Sequence, residues 1–286
     1  ATRGSRKEFP SVAVIVAESN KVTIYDGDTP DLDMWMVFSQ GTWSTYALTC
    51  NTSLTSVVAM NGTISTGSTP FGYKMINFTS EYCEFREYGY HRALYGNVVA
   101  RNGGLTLSGD LGSGGWLVHD KVNDIAMTVL PNAPIDSTTG LPIPTIAVAT
   151  EGGVSVIKDD GTVVDINSSW VRSMFLDFDD EHYLVAQHGN ATAQGLLFRY
   201  AIPAVDTGAS GQLGGGNIYS NNFPNIGGSL GGLTQLVTLG HDVAVNAASN
   251  GAGQLTKYRL NEADHTKSSV AYLTSTYNSG YMTGDI

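Results

Sequence analysis

Short apolar runs of β type, separated by turn residues, occur along the whole chain. Ser11–Ala17 reads SVAVIVA, Val22–Tyr25 reads VTIY, and Met34–Phe38 reads MWMVF, whereas helical periodicity is nearly absent. Runs with the same composition follow at Thr145–Thr150, Val154–Ile157, Val171–Phe178, Tyr183–Gln187, Leu196–Ile202, Leu236–Leu239, Val243–Asn246, Leu255–Leu260 and Val270–Thr274. Many short, evenly spaced strands predict an all-β sandwich, barrel or propeller.

Internal repetition favours the propeller among these folds. Segments that begin at Thr55, Val171 and Leu233 each combine an apolar strand, a turn and a second strand with small residues. Adjacent inner strands of successive blades have this composition, because both of their faces pack against neighbours. A second similarity pairs Ala13 with Ala147, an offset of 134 residues, which equals three repeats of about 45. We predict a β-propeller of five or six blades, with a multi-sheet β-sandwich as the alternative.

The same pattern suggests a division of the chain. We predict that residues 1–10 form an N-terminal extension or linker and that residues 11–286 form the propeller domain. Within that domain, residues 206–232 are glycine-rich and have few apolar anchors, so we predict an insertion loop there. Loops of this length in compact domains are usually functional or mobile. The two ends of the sequence suggest a fragment of a longer chain.

Composition narrows the possible functions. The chain has 15 Lys and Arg against 26 Asp and Glu, for a net charge of −11. This charge excludes nucleic-acid binding through a broad basic surface. No run of 18 apolar residues occurs, so we predict no membrane insertion.

An acidic turn is a candidate calcium site, and Ca²⁺ is the only cofactor that the sequence suggests. Asp26, Asp28, Asp31 and Asp33 lie in the segment DGDTPDLD. Ca²⁺ takes six to eight oxygen ligands, and carboxylates spaced along a turn supply them. The spacing does not match an EF-hand loop. A solvated acidic turn that binds no metal is the alternative, because Asp favours turn positions.

Several segments resemble a known group of proteins. KEFPSVAVIVAESNKVTIYDGD with the following MWMVF, IPTIAVATEGGVSVIKDDGTVVDI, and the final YNSGYMTGDI resemble virion structural proteins of marine tailed phages. In that group a propeller-like region is often followed by a LamG, concanavalin-like module. The resemblance implies an extracellular location on the virion, in a tail fibre or other appendage. It also implies other virion subunits and host-surface polysaccharide as partners, and fibres are commonly homo-oligomers.

Aromatic residues provide candidate carbohydrate contacts. Aromatic faces stack on sugar rings, and nearby Arg and Asn side chains bond to hydroxyls; the alternative is that these aromatics only pack strands. The candidates come from the tyrosine-rich region and from the tip of the glycine-rich loop: Tyr88, Tyr90, Arg92, Tyr95, Tyr219, Asn221, Asn222 and Phe223.

Catalytic signatures are weak. Gly227–Gly231 fits the G-x-S-x-G pattern, but a glycine loop surrounds it instead of the strand and helix that a nucleophile elbow needs. We therefore predict no catalytic residue and favour a non-enzymatic module. A polysaccharide hydrolase or lyase with carboxylates from different blades is one alternative. A purely structural fibre subunit is the other.

Overall fold

The fold is known from a computed structural model, which describes part of the chain. The described residues are 2–4, 6, 8–39, 48–49, 53–94, 111–167, 172–189, 196–208, 217–218, 233–239, 242–249, 252–259 and 269–273.

Strands in this part of the chain form five separate sheets, here numbered 1 to 5 in chain order. Sheet 1 has the order β1 (Thr2–Arg3), β4 (Met34–Ser39), β3 (Lys21–Asp26), β2 (Ala13–Glu18). Sheet 2 runs β5 (Leu54–Met60), β6 (Thr63–Ser68), β7 (Tyr73–Asn77), β8 (Cys83–Glu87), β9 (Tyr90–Leu94). Sheet 3 runs β10 (Val122–Thr128), β11 (Thr145–Thr150), β12 (Gly153–Ile157), β13 (Val163–Asn167), with β17 (Thr207–Gly208) at its edge. Sheet 4 runs β14 (Arg172–Phe178), β15 (Leu184–Gly189), β16 (Leu196–Tyr200), β18 (Asn217–Ile218), and sheet 5 runs β19 (Leu233–Leu239), β20 (Asp242–Ser249), β21 (Ala252–Arg259), β22 (Ser269–Leu273).

The all-β prediction is confirmed. Among the described residues, the only helical element is a 3₁₀ turn at Ser113–Gly115, and none is a helix long and apolar enough to cross a membrane. Residues 1–10, which we predicted as an extension, contribute Thr2 and Arg3 to sheet 1, where they pair with Val37 and Met36. The predicted 206–232 loop is described only at 206–208 and 217–218, which supply parts of the edge strands β17 and β18.

One of the two sequence repeats matches the sheets, and the other does not. The segments from Thr55, Val171 and Leu233 correspond to the first two strands of sheets 2, 4 and 5. The pairing of Ala13 with Ala147 is wrong by one strand, since Ala13 lies on the first strand of its sheet and Ala147 on the second. Two apolar hairpins resemble each other whatever their position in a sheet, so the similarity carried no positional information.

The sheets stack in chain order, with a hydrophobic core between each of the first four. Ile24 and Phe38 of sheet 1 pack with Ile64 of sheet 2. Tyr73 of sheet 2 packs with Val122 and Ile146 of sheet 3, and Leu176 of sheet 4 joins the core with Ala147 of sheet 3. The strands next to the first are covered on both sides: every residue of β6 and β11 is buried. This explains their small side chains. A Cβ on Gly67 of β6, for example, would lie 2.4 Å from Val122 Cγ1 of the next sheet.

The first strands of neighbouring sheets pack directly against each other: β2 on β5, β5 on β10, β10 on β14, and β14 on β19. Four of these five strands carry a β-bulge at the same place. The register shifts at Thr55 in β5, Asn123 in β10, Met174 in β14 and Thr234 in β19. A bulge leaves one residue unpaired and bends the strand. The bulged residue is therefore available for contacts outside its own sheet.

Two hydrogen bonds recur between the bulge of one sheet and the first strand of the next. Thr55 Oγ1 donates to the carbonyl of Val122 at 2.8 Å. One sheet further on, Asn123 Nδ2 donates to the carbonyl of Ser173, also at 2.8 Å. Both acceptors immediately precede the next bulge. The side chain at the bulge thus fixes the register of one sheet against the next.

A second bond recurs between sheets, from a backbone N–H of one sheet to an acceptor side chain on the first strand of the preceding sheet. Ser56 Oγ accepts the N–H of Ile125 at 3.3 Å and donates to Asp124 Oδ1 at 2.9 Å. Asp124 Oδ2 in turn accepts the N–H of Leu176 at 3.2 Å. Between sheets 4 and 5, Asp177 Oδ2 accepts the N–H of Thr238 at 2.8 Å. At each of these three contacts between neighbouring sheets, which we call joints, a side-chain acceptor therefore binds a backbone N–H of the following sheet.

Asp124→Ala is expected to lower stability by about 1–3 kcal/mol, because it leaves the buried Leu176 N–H and the Ser56 hydroxyl without their acceptor. Chemical denaturation measures this loss. Asp124→Asn keeps one acceptor oxygen and replaces the other by an N–H₂ donor, so we expect a smaller loss than for Asp124→Ala. It also removes a carboxyl whose pKa burial raises to about 6. Asp31→Ala, at an exposed position, is the control. Equal stability of Asp124→Ala and Asp31→Ala would contradict a role for this bond.

Candidate functional site

A cavity of about 740 Å³ opens between sheets 2 and 3. Its walls come from β7, β8 and β9, from the turn between β12 and β13, and from the connection 129–144 between β10 and β11. The volume lies within the usual range for small-molecule sites. Asn61 Nδ2 fixes one side of it by donating to the carbonyl of Pro142 at 2.8 Å.

Strand register places the charged wall of the cavity. Glu84 and Arg86 are two apart on β8, so their side chains share a face. Arg86 pairs with His91 on β9, and Glu84 pairs with Met75 on β7. Antiparallel partners lie on the same face of a sheet. The carboxylate of Glu84, the guanidinium of Arg86, the imidazole of His91 and the thioether of Met75 are thereby brought together on the face of sheet 2 that lines the cavity.

Glu84 is the centre of a buried polar network. Its carboxylate accepts from Arg86 Nε at 2.8 Å and from Tyr82 OH at 3.0 Å, and His91 Nε2 lies 3.1 Å from Oε2. Arg86 also donates through Nη1 to the carbonyl of Gly115 at 3.0 Å. Glu84 is 4% exposed and Arg86 3%. A Cβ on Gly115 would lie 2.3 Å from His91 Nδ1, so only glycine fits at this approach.

This network holds Glu84 in its charged form. Burial by itself raises the pKa of Glu84, but the hydrogen bonds and charges of His91 and Arg86 outweigh it and lower the pKa to about 2. Burial and the neighbouring Glu84 raise the pKa of the Tyr82 hydroxyl above its ordinary value. The wall therefore presents a permanent ion pair beside a neutral phenol.

The opposite wall is an acidic turn. Lys158 and Thr162 close it through a bond from the N–H of Lys158 to the carbonyl of Thr162, 2.8 Å long. Asp160 Oδ1 accepts from the hydroxyl and the N–H of Thr162, and these two bonds lower the pKa of Asp160. Asp159 and Asp136 also line the cavity and are half-buried.

Recognition of a polar ligand suits this chemistry better than proton transfer. A glycosidase acid needs a carboxyl whose pKa is raised towards the working pH. The pKa values of Glu84 and Asp160 are both lowered instead. Apolar walls from Met75, Ile146 and Ile157 surround the polar groups. This mixture is typical of binding sites, in which a few polar groups orient a ligand against apolar surface.

Three of the carbohydrate candidates predicted from the sequence are described by the structure, and they lie away from the cavity. Tyr88 is 65% exposed and Tyr90 47%, and the Arg92 guanidinium lies 4.9 Å from the centre of the Tyr90 ring. Side chains alternate along a strand, so Tyr90 and Arg92 lie on the face of β9 opposite to His91. Tyr88, Tyr90 and Arg92 are not part of the cavity wall. The other candidates lie outside the described residues: Tyr95, Tyr219, Asn221, Asn222 and Phe223.

The acidic turn predicted to bind Ca²⁺ contacts an arginine. Arg6 Nη1 lies 2.7 Å from Asp26 Oδ2 and 2.8 Å from Asp28 Oδ2. Asp28 also accepts the N–H groups of Ser11 and Val12, and these bonds together with Arg6 lower its pKa. Asp31 and Asp33 are exposed. Within the described ranges, no group of three or more His, Cys, Asp or Glu has metal-binding geometry, and the Ca²⁺ site remains a prediction.

Sequence reasoning missed Glu84 and His91 as partners of Arg86. They lie inside the tyrosine-rich segment EYCEFREYGYHRALY, where the tyrosines and the neighbouring arginines were taken as the signal. Two opposite charges at positions i and i+2 of a strand otherwise made of Cys and Phe were an available clue. Charged residues on a buried strand are almost always paired.

Comparisons with known proteins identify no family. No family model matches the chain, and no curated protein matches it. Among solved structures, a functionally unknown protein from Desulfotomaculum acetoxidans is similar over 91% of this chain, with 11% identity and a TM-score of 0.43; this chain spans 64% of its length. A protein of unknown function from Bacteroides caccae is similar over 87% of this chain and 89% of its own, at 13% identity and a TM-score of 0.37. The computationally designed Ika8 protein follows, at 10% identity and a TM-score of 0.32, over 88% of this chain and 82% of its own.

Removing both partners of the buried ion pair is expected to cost less than the two single removals added together. Arg86→Met leaves the Glu84 carboxylate buried without its countercharge and should destabilise the fold by about 3–5 kcal/mol. The double variant Glu84→Gln with Arg86→Met should lose less than the sum of the two single losses. A double-mutant cycle by denaturation measures the coupling. If the losses in the free energy of unfolding of the two single variants add up to that of the double variant, Glu84 and Arg86 are not energetically coupled.

Proposed function

We propose that the five sheets are the blades of a β-propeller. Three observations support this architecture. Strands β2 to β4 of sheet 1 and the first four strands of sheet 2, the first four of sheet 3, the first three of sheet 4 and all four of sheet 5 are meanders. Successive sheets pack in chain order, and the strands β2, β5, β10, β14 and β19, which begin these meanders, pack one on the next. In addition, Val12, Val14 and Val16 form an exposed apolar stripe on the face of sheet 1 that points away from sheet 2. In a closed propeller, the last blade would cover this face of sheet 1. In a multi-sheet sandwich, the same face would stay exposed to solvent.

Val14→Asp distinguishes these two architectures. Val14 is 40% exposed in the stack of described sheets. If a blade packs there, the new carboxylate is buried, and we expect a loss of about 2 kcal/mol or more. Tyr88→Asp, on an exposed turn, is the control. A loss within about 0.5 kcal/mol of zero at Val14 would favour the open sandwich.

We propose, second, that the protein is a non-enzymatic module of a phage virion surface, in a tail fibre or similar appendage. The support is the resemblance of the β-hairpin segments to virion proteins of tailed phages. A further support is the composition, which is rich in glycine, contains only 14% charged residues and suits tight turns. Other virion subunits and further copies of the chain are the proposed partners.

Carbohydrate binding in the cavity between sheets 2 and 3 is the proposed activity. The observation that carries it is a 740 Å³ cavity with a fixed polar wall at Tyr82, Glu84, Arg86 and His91. Glu84 and Arg86 are buried and hydrogen-bonded within the protein, so little ordering of these side chains is needed on binding. Tyr82 adds a partly exposed aromatic ring at this wall. Host-surface polysaccharide is the proposed ligand.

A glycan-array screen of the whole chain, with mass spectrometry of the glycans afterwards, tests this activity. We expect binding without cleavage. Tyr82→Ala should weaken binding about tenfold or more, a loss of 1.4 kcal/mol, because it removes an aromatic face and a hydroxyl.

Tyr88→Ala is the matched control, since it removes a tyrosine of the same sheet that lies outside the cavity. Loss of binding in Tyr88→Ala but not in Tyr82→Ala would move the site to the surface that the sequence suggested. Cleaved products would favour the hydrolase or lyase instead. Absence of any binding would favour the structural subunit.

A further inference from the structure

The charges around the cavity are unequally distributed between its two walls. Sheet 2 contributes Glu84 and Arg86, which bond to each other. The opposite wall contributes Asp136, Asp159 and Asp160, with Lys158 as its cation. Because the first wall is close to neutral as a pair, the second wall decides the sign of the potential that a ligand experiences.

The guanidinium of Arg86 is committed to the protein. Nε donates to Glu84 Oε1 at 2.8 Å, Nη2 to Oε2 at 3.3 Å, and Nη1 to the carbonyl of Gly115 at 3.0 Å. Glu84 occupies the Nε–Nη2 edge of this guanidinium, and three of its five N–H donors are used within the protein. Because Arg86 is also only 3% exposed, it is a poor anchor for a ligand carboxylate.

The ammonium of Lys158 offsets part of the charge of this wall. Nζ donates to the carbonyl of Ala204 at 3.1 Å, in the segment between β16 and β17, and this neutral acceptor leaves the positive charge in place. The bonds of Asp160 to Thr162 and the charge of Lys158 lower the pKa of Asp160 and keep it ionised. Asp136 and Asp159 are half-buried, so water screens them less than it screens a fully exposed carboxylate. Three carboxylates against one ammonium leave the wall net negative.

We propose that the cavity selects sugars by charge: it takes amino sugars in preference to neutral sugars, and it excludes uronic acids. This inference rests on the proposed carbohydrate function and names the class of ligand. An ammonium on the sugar gains from Asp136, Asp159 and Asp160, whereas a carboxylate meets a wall on which these three acids outnumber Lys158. On the facing wall, Arg86 is bonded to Glu84, and His91 Nε2 lies 3.1 Å from the same carboxylate.

Titration calorimetry of the whole chain with three tetrasaccharides tests this selection. The probes are tetramers of glucosamine, of N-acetylglucosamine and of glucuronate, in a mildly acidic buffer that protonates the glucosamine amines. We expect affinity to fall in that order, with about tenfold or more between the first and the last. Added salt should narrow the difference, because it screens charge.

The variant Asp136→Asn with Asp159→Asn should reduce the ratio of glucosamine to glucuronate affinity by about threefold or more. Asn at position 136 keeps the acceptor that Asp136 offers to the N–H of Thr138. The double variant Asp31→Asn with Asp33→Asn is the control, since it removes the same charge from an exposed turn outside the cavity wall. Its ratio should stay at the wild-type value.

Three outcomes would overturn the inference, and they differ from one another. Glucuronate binding as tight as glucosamine binding would refute selection by charge, but it would still support a carbohydrate-binding site. An equal change in both double variants would assign the selection to net charge and not to this cavity. Failure of all three tetramers, and of every glycan on the array, would overturn the carbohydrate function itself.

Discussion

The fold depends on how the edge of each sheet is covered. The first strand of every sheet is an edge strand, and uncovered edges carry backbone groups that would pair with any other strand. Here the side chains of the preceding sheet bind those groups. Ser56 accepts the N–H of Ile125, Asp124 that of Leu176, and Asp177 that of Thr238. At the edges of sheets 3, 4 and 5, a backbone N–H is thereby bound by the preceding sheet, and the same bonds fix the position of these sheets on one another.

The candidate site follows from this arrangement. Sheets 2 and 3 are joined through β5 and β10, and the space between them near these strands is filled by Val122 and its neighbours. The cavity is lined instead by the later strands β7, β8 and β9 and by the turn after β12. Binding surface on a rigid scaffold requires such a separation, because the core keeps the wall in place while the outer part is open to a ligand.

Sequence patterns predicted the strands better than the site. Val, Ile and Thr runs located β2, β3, β4, β11 and β12 to within two residues, because alternation and turn residues are local properties. The contacts between sheets were not predictable in this way. Asn123 and Asp124 form their hydrogen bonds with Ser173 and Leu176, which are about 50 residues away in the sequence and lie on another sheet. Likewise, Glu84 and His91 meet through strand pairing. The sequence favoured Tyr88 and Tyr90 instead. These exposed tyrosines lie in the turn between β8 and β9 and at the start of β9, outside the cavity wall.

Amide hydrogen exchange tests the central claim most directly, because it reports on individual backbone N–H groups. The account predicts slow exchange at Ile125, Leu176 and Thr238, comparable to amides inside the sheets, since each is bonded to a side chain of the preceding sheet. Exchange at these three amides as fast as at exposed turns would contradict it: the first strands would then be open edges, and the sheets would not be joined through them.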